Sequence, residues 1–196
     1  MRRKLRFGLL VLGVAAIATA TWVVRGRPFP SDRTPEGAYM RIAHSVSEER
    51  PADAFAYLET EAQWACFTIR DLRGKAAARV RTSYPEAQRG ELLAVYEEDA
   101  SSKDGPDAFV RIARRRGWIT RLRRDLSGIS RTEVEGERAS VVTSRGTRYP
   151  FRKRDNGIWG LTIFTAELVA ESERAARDWA VVSAAADDYD RAGDRR

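Results

Sequence analysis

The chain has 196 residues, 43 % of them hydrophobic and 32 % charged, which excludes a disordered polymer and argues against a multi-domain enzyme. The formal charge is +7, but residues 1–25 hold five Lys or Arg and no acid, leaving 30 basic against 28 acidic side chains in the remainder. The body is therefore almost neutral, and no nucleic-acid surface is expected of it.

After the basic Met1–Arg6 comes Phe7–Val24, eighteen uncharged residues that make a helix of about 27 Å, enough to span a hydrocarbon core. Arg2, Arg3, Lys4 and Arg6 precede the run and Arg25 and Arg27 follow it, so the start is expected in the cytoplasm and the body across the membrane. Ala16-Ile17-Ala18 and Ala18-Thr19-Ala20 have the small-x-small form of a signal-peptide cleavage site, and a cleaved, secreted body is the second reading. The apolar run continues through Trp22, Val23 and Val24 beyond either cut, which favours a retained anchor. Among the basic residues 31 are Arg and four are Lys, and alanine is abundant, the balance of a GC-rich genome. The expected setting is a Gram-negative inner membrane, crossed once, with the body in the periplasm. The lone Cys66 makes no intramolecular disulfide, so stability rests on core packing.

The chain divides into an anchor (1–25), a linker (26–33) and one α+β domain (34–192). Arg25–Arg33, with two prolines, is a stiff connection reaching at most about 30 Å. Thr34 as N-cap and Pro35 at the first helical position open a helix to about residue 49, with Tyr39, Ile42, Ala43 and Val46 on one side. Pro51 restarts a short helix. Thr60-Glu61-Ala62-Gln63 reads as a capping box for a longer one, which Tyr84-Pro85 ends. Further helices are expected over Glu86–Glu98, Asp107–Arg116 and Ile119–Asp125, the last two divided at Gly117.

From Ser127 the period changes to two. Strands are expected over Gly128–Glu135, Arg138–Ser144, Thr147–Arg154 and Ile158–Thr165, with turns at Gly136-Glu137, Arg145-Gly146 and Asn156-Gly157. Connections this short give a four-stranded antiparallel meander. The last strand, apolar on both faces, should be central or doubly covered, and Pro150 points to an exposed edge or a bulge. Ala166–Ala192 is a long C-terminal helix with Leu168, Ser172, Ala175, Trp179, Val182, Ala186 and Tyr189 as a seam, packed across the sheet or against a second copy in a homodimer.

Catalytic and metal motifs are not found in the sequence. Cys66 and His44 are the minimum for a thiol nucleophile and base, but no spacing joins them, and no cofactor or metal is expected. The most unusual segment is Arg111–Arg124 (RIARRRGWITRLRR), where Arg111, Arg114, Arg115, Arg116, Arg121, Arg123 and Arg124 interleave with apolar residues and no acid. Such a stretch can rest on anionic lipid, grip an acidic protein partner or a carboxylate or phosphate ligand by bidentate guanidinium contacts, or be a solvated face paired with the acidic runs at Glu97–Asp107 and Glu133–Glu137. The leading function is a non-enzymatic envelope protein that binds through this run. The alternative is a small-ligand binder or enzyme with a pocket between sheet and final helix, lined by Tyr149, Phe151, Trp159 and Trp179.

Arg145–Leu161 (RGTRYPFRKRDNGIWGL), an aromatic strand, an Asn-Gly turn and Ile158-Trp159-Gly160-Leu161, resembles the sheet of the superfamily of nuclear transport factor two and the polyketide cyclases. The resemblance covers about Ala139–Phe164 and implies a cone-shaped sheet with a ligand pocket. Helices over 86–125 and a terminal helix in place of a strand depart from that pattern, and no catalytic residue transfers.

Overall fold

Thr34 has extended backbone, its Oγ1 accepts from the Gly37 N–H at 3.1 Å, and Pro35 fills the first turn, so α1 (Pro35–Ser47) begins where those residues predict. The computed structural model describes residues 29–193. The expected membrane segment Phe7–Val24 lies outside them, and among the described residues no helix is long and apolar enough to cross a membrane. From Ser31 onward the described residues form one unit.

Helix α1 closes on Glu49, a non-glycine residue at φ 59°. The Arg50 N–H donates to the Ser45 carbonyl at 2.8 Å and the Glu49 N–H to that of Val46 at 3.4 Å, the bond pair of a Schellman turn. A 3-10 helix (Pro51–Tyr57) leads through Leu58 into α2 (Thr60–Ser83). The expected capping box is corrected here: Thr60 is the first helical residue, no side chain caps the start, and the Gln63 amide reaches back to the carbonyls of Phe55 (2.8 Å) and Leu58 (3.3 Å). The residue in the capping position, Glu59, instead accepts from Thr165 Oγ1 at 2.8 Å and Arg152 at 3.3 Å. Tyr84 ends α2 before Pro85, and α3 (Glu86–Ala100), α4 (Gly105–Arg115) and α5 (Trp118–Asp125) follow.

Strands β1 (Ile129–Glu135), β2 (Arg138–Thr143), β3 (Arg148–Lys153) and β4 (Trp159–Leu161) form the expected antiparallel meander, in that spatial order. Among the described residues strand β1 has one neighbour; its register slips between Ile129 and Arg131, and Arg131, Glu133 and Glu135 are exposed along it. Strand β4 is shorter than expected and lies at the sheet's edge, yet all three of its residues are buried. Leu58 bridges Leu161 in parallel, and a Cβ on Gly160 would lie 2.7 Å from Glu59 Cα, so backbone covers β4 at contact distance. Pro150 sits in interior strand β3, not at an exposed edge. Its carbonyl accepts from Thr162 N at 3.0 Å, so its nitrogen points the same way, just past the end of β4, where no ladder bond is lost.

Tyr39, Ile42 and Val46 of α1 pack in one core with the inward sheet residues Val141, Tyr149 and Phe151 and with Phe109, Ile112, Trp118 and Phe164. The final helix, α6 (Thr165–Gly193), joins this core through Leu168 and then runs along α2 rather than across the sheet, whose inner face α1 already covers. There Val182 and Ala186 meet Ala76, Ala77 and Val80 in a second, smaller core closed by Tyr84 and Tyr96.

Candidate functional site

Asp104 opens α4 by accepting from the Asp107 N–H at 2.8 Å, and the helix buries Ala108, Phe109, Val110, Ile112 and Ala113. Gly117, at φ 69°, reverses the chain, and α5 buries Trp118 and Leu122. With the apolar positions of Arg111–Arg124 spent inward, its seven arginines are left on the outer side of both helices.

Five of the seven are bound by the protein's own acids. Arg111 meets Asp107 at 3.1 Å, and Arg115 holds Asp99 in two bonds of 3.1 Å each and Glu98 at 2.9 Å. Arg116 meets Glu171 at 3.0 Å, Arg123 meets Glu49 at 3.5 Å and Arg124 meets Asp125 at 2.9 Å. Asp99 and Glu98 hold the Arg115 guanidinium above its ordinary range despite the burial that opposes the charge, while the Lys103 backbone N–H and Arg111 lower the Asp107 carboxyl. The Glu97–Asp107 run supplies partners as expected. The Glu133–Glu137 run does not: Glu133 is taken by Arg148 at 2.6 Å and Arg131 at 2.8 Å.

Arg114 and Arg121 make no ion pair among the described residues. Arg114 reaches an open cleft of about 480 Å³ between the 3-10 helix and the start of α4, lined also by Glu49, Arg50, Asp53, Lys103 and Asp107. Arg121 is exposed on α5, and its charge slightly opposes the rise of the Tyr149 phenol.

The four aromatic candidates do not come together. Tyr149 and Phe151 are 2 % exposed and Trp159 is 4 % exposed, all in the main core, where Tyr149 stands 5.4 Å from the Tyr39 ring and the Trp159 indole N–H donates to the Arg33 carbonyl at 3.1 Å. Burial, with Tyr39 beside it, pushes the Tyr149 phenol up to about 12. Trp179 packs in the second core. Cys66 is fully buried and its thiol is pushed up to about 12, chiefly by desolvation and then by the nearby Asp99 charge. His44 is on the exposed side of α1.

Two further groups escape a motif search. Arg73 and Glu171 are buried and paired, joined by Arg116, Arg174 and Asp178. Their signal is periodicity: Arg73 falls between Ile69 and Ala76, and Glu171 between Leu168 and Ala175, at inward helical spacings. The other is Arg145 in the β2–β3 turn, whose guanidinium donates to the Arg124 carbonyl at the end of α5. Compared with known proteins, the chain matches no family model, no curated protein and no solved structure.

Proposed function

We propose that the protein is a non-enzymatic binding domain of the cell envelope, held at the inner membrane by residues 1–25 with its body in the periplasm. The observation that carries this reading is the state of the groups chemistry would use. Tyr149, Phe151 and Trp159 are filled core, and the one thiol is sealed with a pKa far above neutrality. Binding then falls to the surface, where arginine is the distinctive residue.

The competing reading, a small-ligand binder or enzyme built on a sheet like that of nuclear transport factor two, needs one cavity faced by those three aromatics and Trp179. Their division between two cores counts against it.

Native mass spectrometry of the full chain, extracted from the inner membrane of an expressing Gram-negative host, tests the proposal. The expected spectrum is the uncleaved chain without a small-molecule adduct. A retained adduct overturns the non-enzymatic reading, and a soluble chain shortened at Ala18 or Ala20 overturns the anchor.

A further inference from the structure

The final helix has a second face, which none of the described residues covers. Leu168, Ala175, Val182 and Ala186 spend one side of α6 on burial. On the opposite side Glu173, Arg177, Ala180, Ala184, Asp187 and Arg191 follow one another at alternate steps of four and three, and all of them are exposed. This is a second seven-residue repeat, about 27 Å long, on a helix whose first repeat is already used. Beside it Val181 is 69 % exposed, the most exposed large apolar side chain among the described residues. One exposed valine is ordinary on a protein surface. The charges around this one select an occupant.

The order of charges along the face decides what fits it. Two copies of α6 laid antiparallel about a two-fold axis bring Ala180 opposite Ala184, Arg177 opposite Asp187 and Glu173 opposite Arg191, each layer formed twice. On the flank Val181 meets its own copy across the axis and Arg174 meets Asp188. Every charged layer joins opposite signs, and the alanines at the centre let the backbones approach closely. Laid parallel, each residue would meet itself, stacking glutamate on glutamate and arginine on arginine. The face is thus complementary to itself in one orientation. With Arg174, Arg177 and Arg191 balanced by Glu173, Asp187 and Asp188, it offers no single-signed field to a lipid surface or a strongly acidic partner.

The groups that such a pairing needs are available. Glu173 and Arg177 make no ion pair among the described residues, although a spacing of four allows one between them. Asp187 gives Oδ1 to Arg79 and keeps Oδ2 for a second guanidinium. Arg174 and Asp188 meet Glu171 and Arg191 of their own helix, three residues away, and their side chains stay 55 % and 73 % exposed. Surface pairs of this kind contribute little, and a second copy extends them without breaking the fold.

We infer that the outer face of α6, from Glu173 to Arg191, is an antiparallel interface between two copies of this chain. This goes beyond the binding role proposed above and does not depend on where residues 1–25 lie.

The test follows the full chain in non-ionic detergent by sedimentation velocity over a concentration series. Arg177→Glu sets acid against acid in both of its layers, and Asp187→Arg sets base against base. Each variant alone is expected to weaken self-association about tenfold or more. Mixed in equal amounts, the two restore opposite signs in both layers, and the mixture is expected to associate within about threefold of the native chain. Damage to the fold would not be repaired by mixing. Cross-linking with a short bis-maleimide reads the orientation, since the one native thiol, Cys66, is fully buried. Val181→Cys is expected to yield a covalent dimer, and Glu173→Cys to yield one only when mixed with Arg191→Cys. A native chain that stays monomeric to about 0.1 mM overturns the proposal. So does a dimer that neither charge variant weakens, which would put the contact elsewhere in the chain, or a mixture that fails to recover. Efficient cross-linking of Glu173→Cys to itself would show a parallel pair and overturn it likewise.

Discussion

The Arg73 guanidinium lies 3.6 Å from the Glu171 carboxylate with their side chains 5 % and 9 % exposed, between the two cores that α2 and α6 share. A buried charge is costly when its partner is removed. Arg73→Met is therefore expected to lose about 3–5 kcal/mol, leaving Glu171 to Arg116 and Arg174 alone and Asp178 without its guanidinium. Urea unfolding with an unchanged slope checks it. The double variant with Glu171→Leu should recover a large part of the loss, and failure to do so would show that the pair itself is strongly stabilising.

Gly160 has no room for a methyl group. Its Cβ would meet Glu59 Cα at 2.7 Å, Glu59 N at 2.9 Å and Leu58 O at 2.9 Å, all of them backbone atoms that cannot rotate aside. Gly160→Ala is expected to cost about 3 kcal/mol and to detach the Leu58–Leu161 bridge. Amide exchange at Glu59, whose N–H donates to Leu161 O, reports that detachment directly.

Glu49 holds a left-handed conformation that glycine adopts freely. Its carboxylate pair with Arg123, at 3.5 Å between exposed side chains, contributes little. Glu49→Gly should stabilise the domain by about 0.5–1 kcal/mol in thermal or urea unfolding. A loss of stability would mean that the ion pair outweighs the backbone strain.

The Glu133 carboxyl is lowered to about 2 by hydrogen bonds first from Arg148 and then from Arg131. A depressed carboxylate pKa gives stability that is present above the unfolded value near 4.5 and is lost as pH falls toward about 2. The Glu133 carboxyl resonance should accordingly titrate near pH 2, and Glu133→Gln should flatten the acid limb of the stability curve between those values. Titration in the ordinary glutamate range would show that the exposed arginines do not hold it.

On the alkaline side the sign reverses. Cys66 and Tyr149 are raised to about 12 from 9.0 and 10.0, so their contributions are complete below those ordinary values and are lost as pH rises through the folded ones. Native protein at pH 8 should therefore resist thiol alkylation, with labelling only as fast as the chain opens. Rapid labelling without opening would contradict the sealed position of Cys66.

Features whose cause lies within a few residues are legible in the sequence. Thr34-Pro35, Tyr84-Pro85 and the turns at Gly136, Gly146 and Gly157 stand where local chemistry puts them. Thr60 misleads because the fate of Glu59 is decided by Arg152 and Thr165, 93 and 106 residues away, contacts that no local pattern encodes. Pro150 misleads for a related reason: its missing N–H matters only relative to where β4 stops. Within the arginine run, Arg111 with Asp107 and Arg124 with Asp125 are reachable by spacing alone. Arg116 with Glu171, 55 residues apart, and the convergence of Arg145 on α5 require the fold. The final helix shows the same limit, since its seam residues are right for burial but say nothing of which surface they bury against.

The uncovered flank of the meander has a consequence for the protein's behaviour at high local concentration. Among the described residues strand β1 has β2 as its one neighbour, and such an edge is the ordinary template for runaway strand addition between molecules. Its register slip next to Ile129 breaks the regular ladder, and Arg131, Glu133 and Glu135 confront any incoming strand with charges of both signs. Chains at high concentration are thereby kept from zipping into a shared fibrillar sheet, while the opposite flank needs no such guard because Leu58 and Glu59 already lie across it.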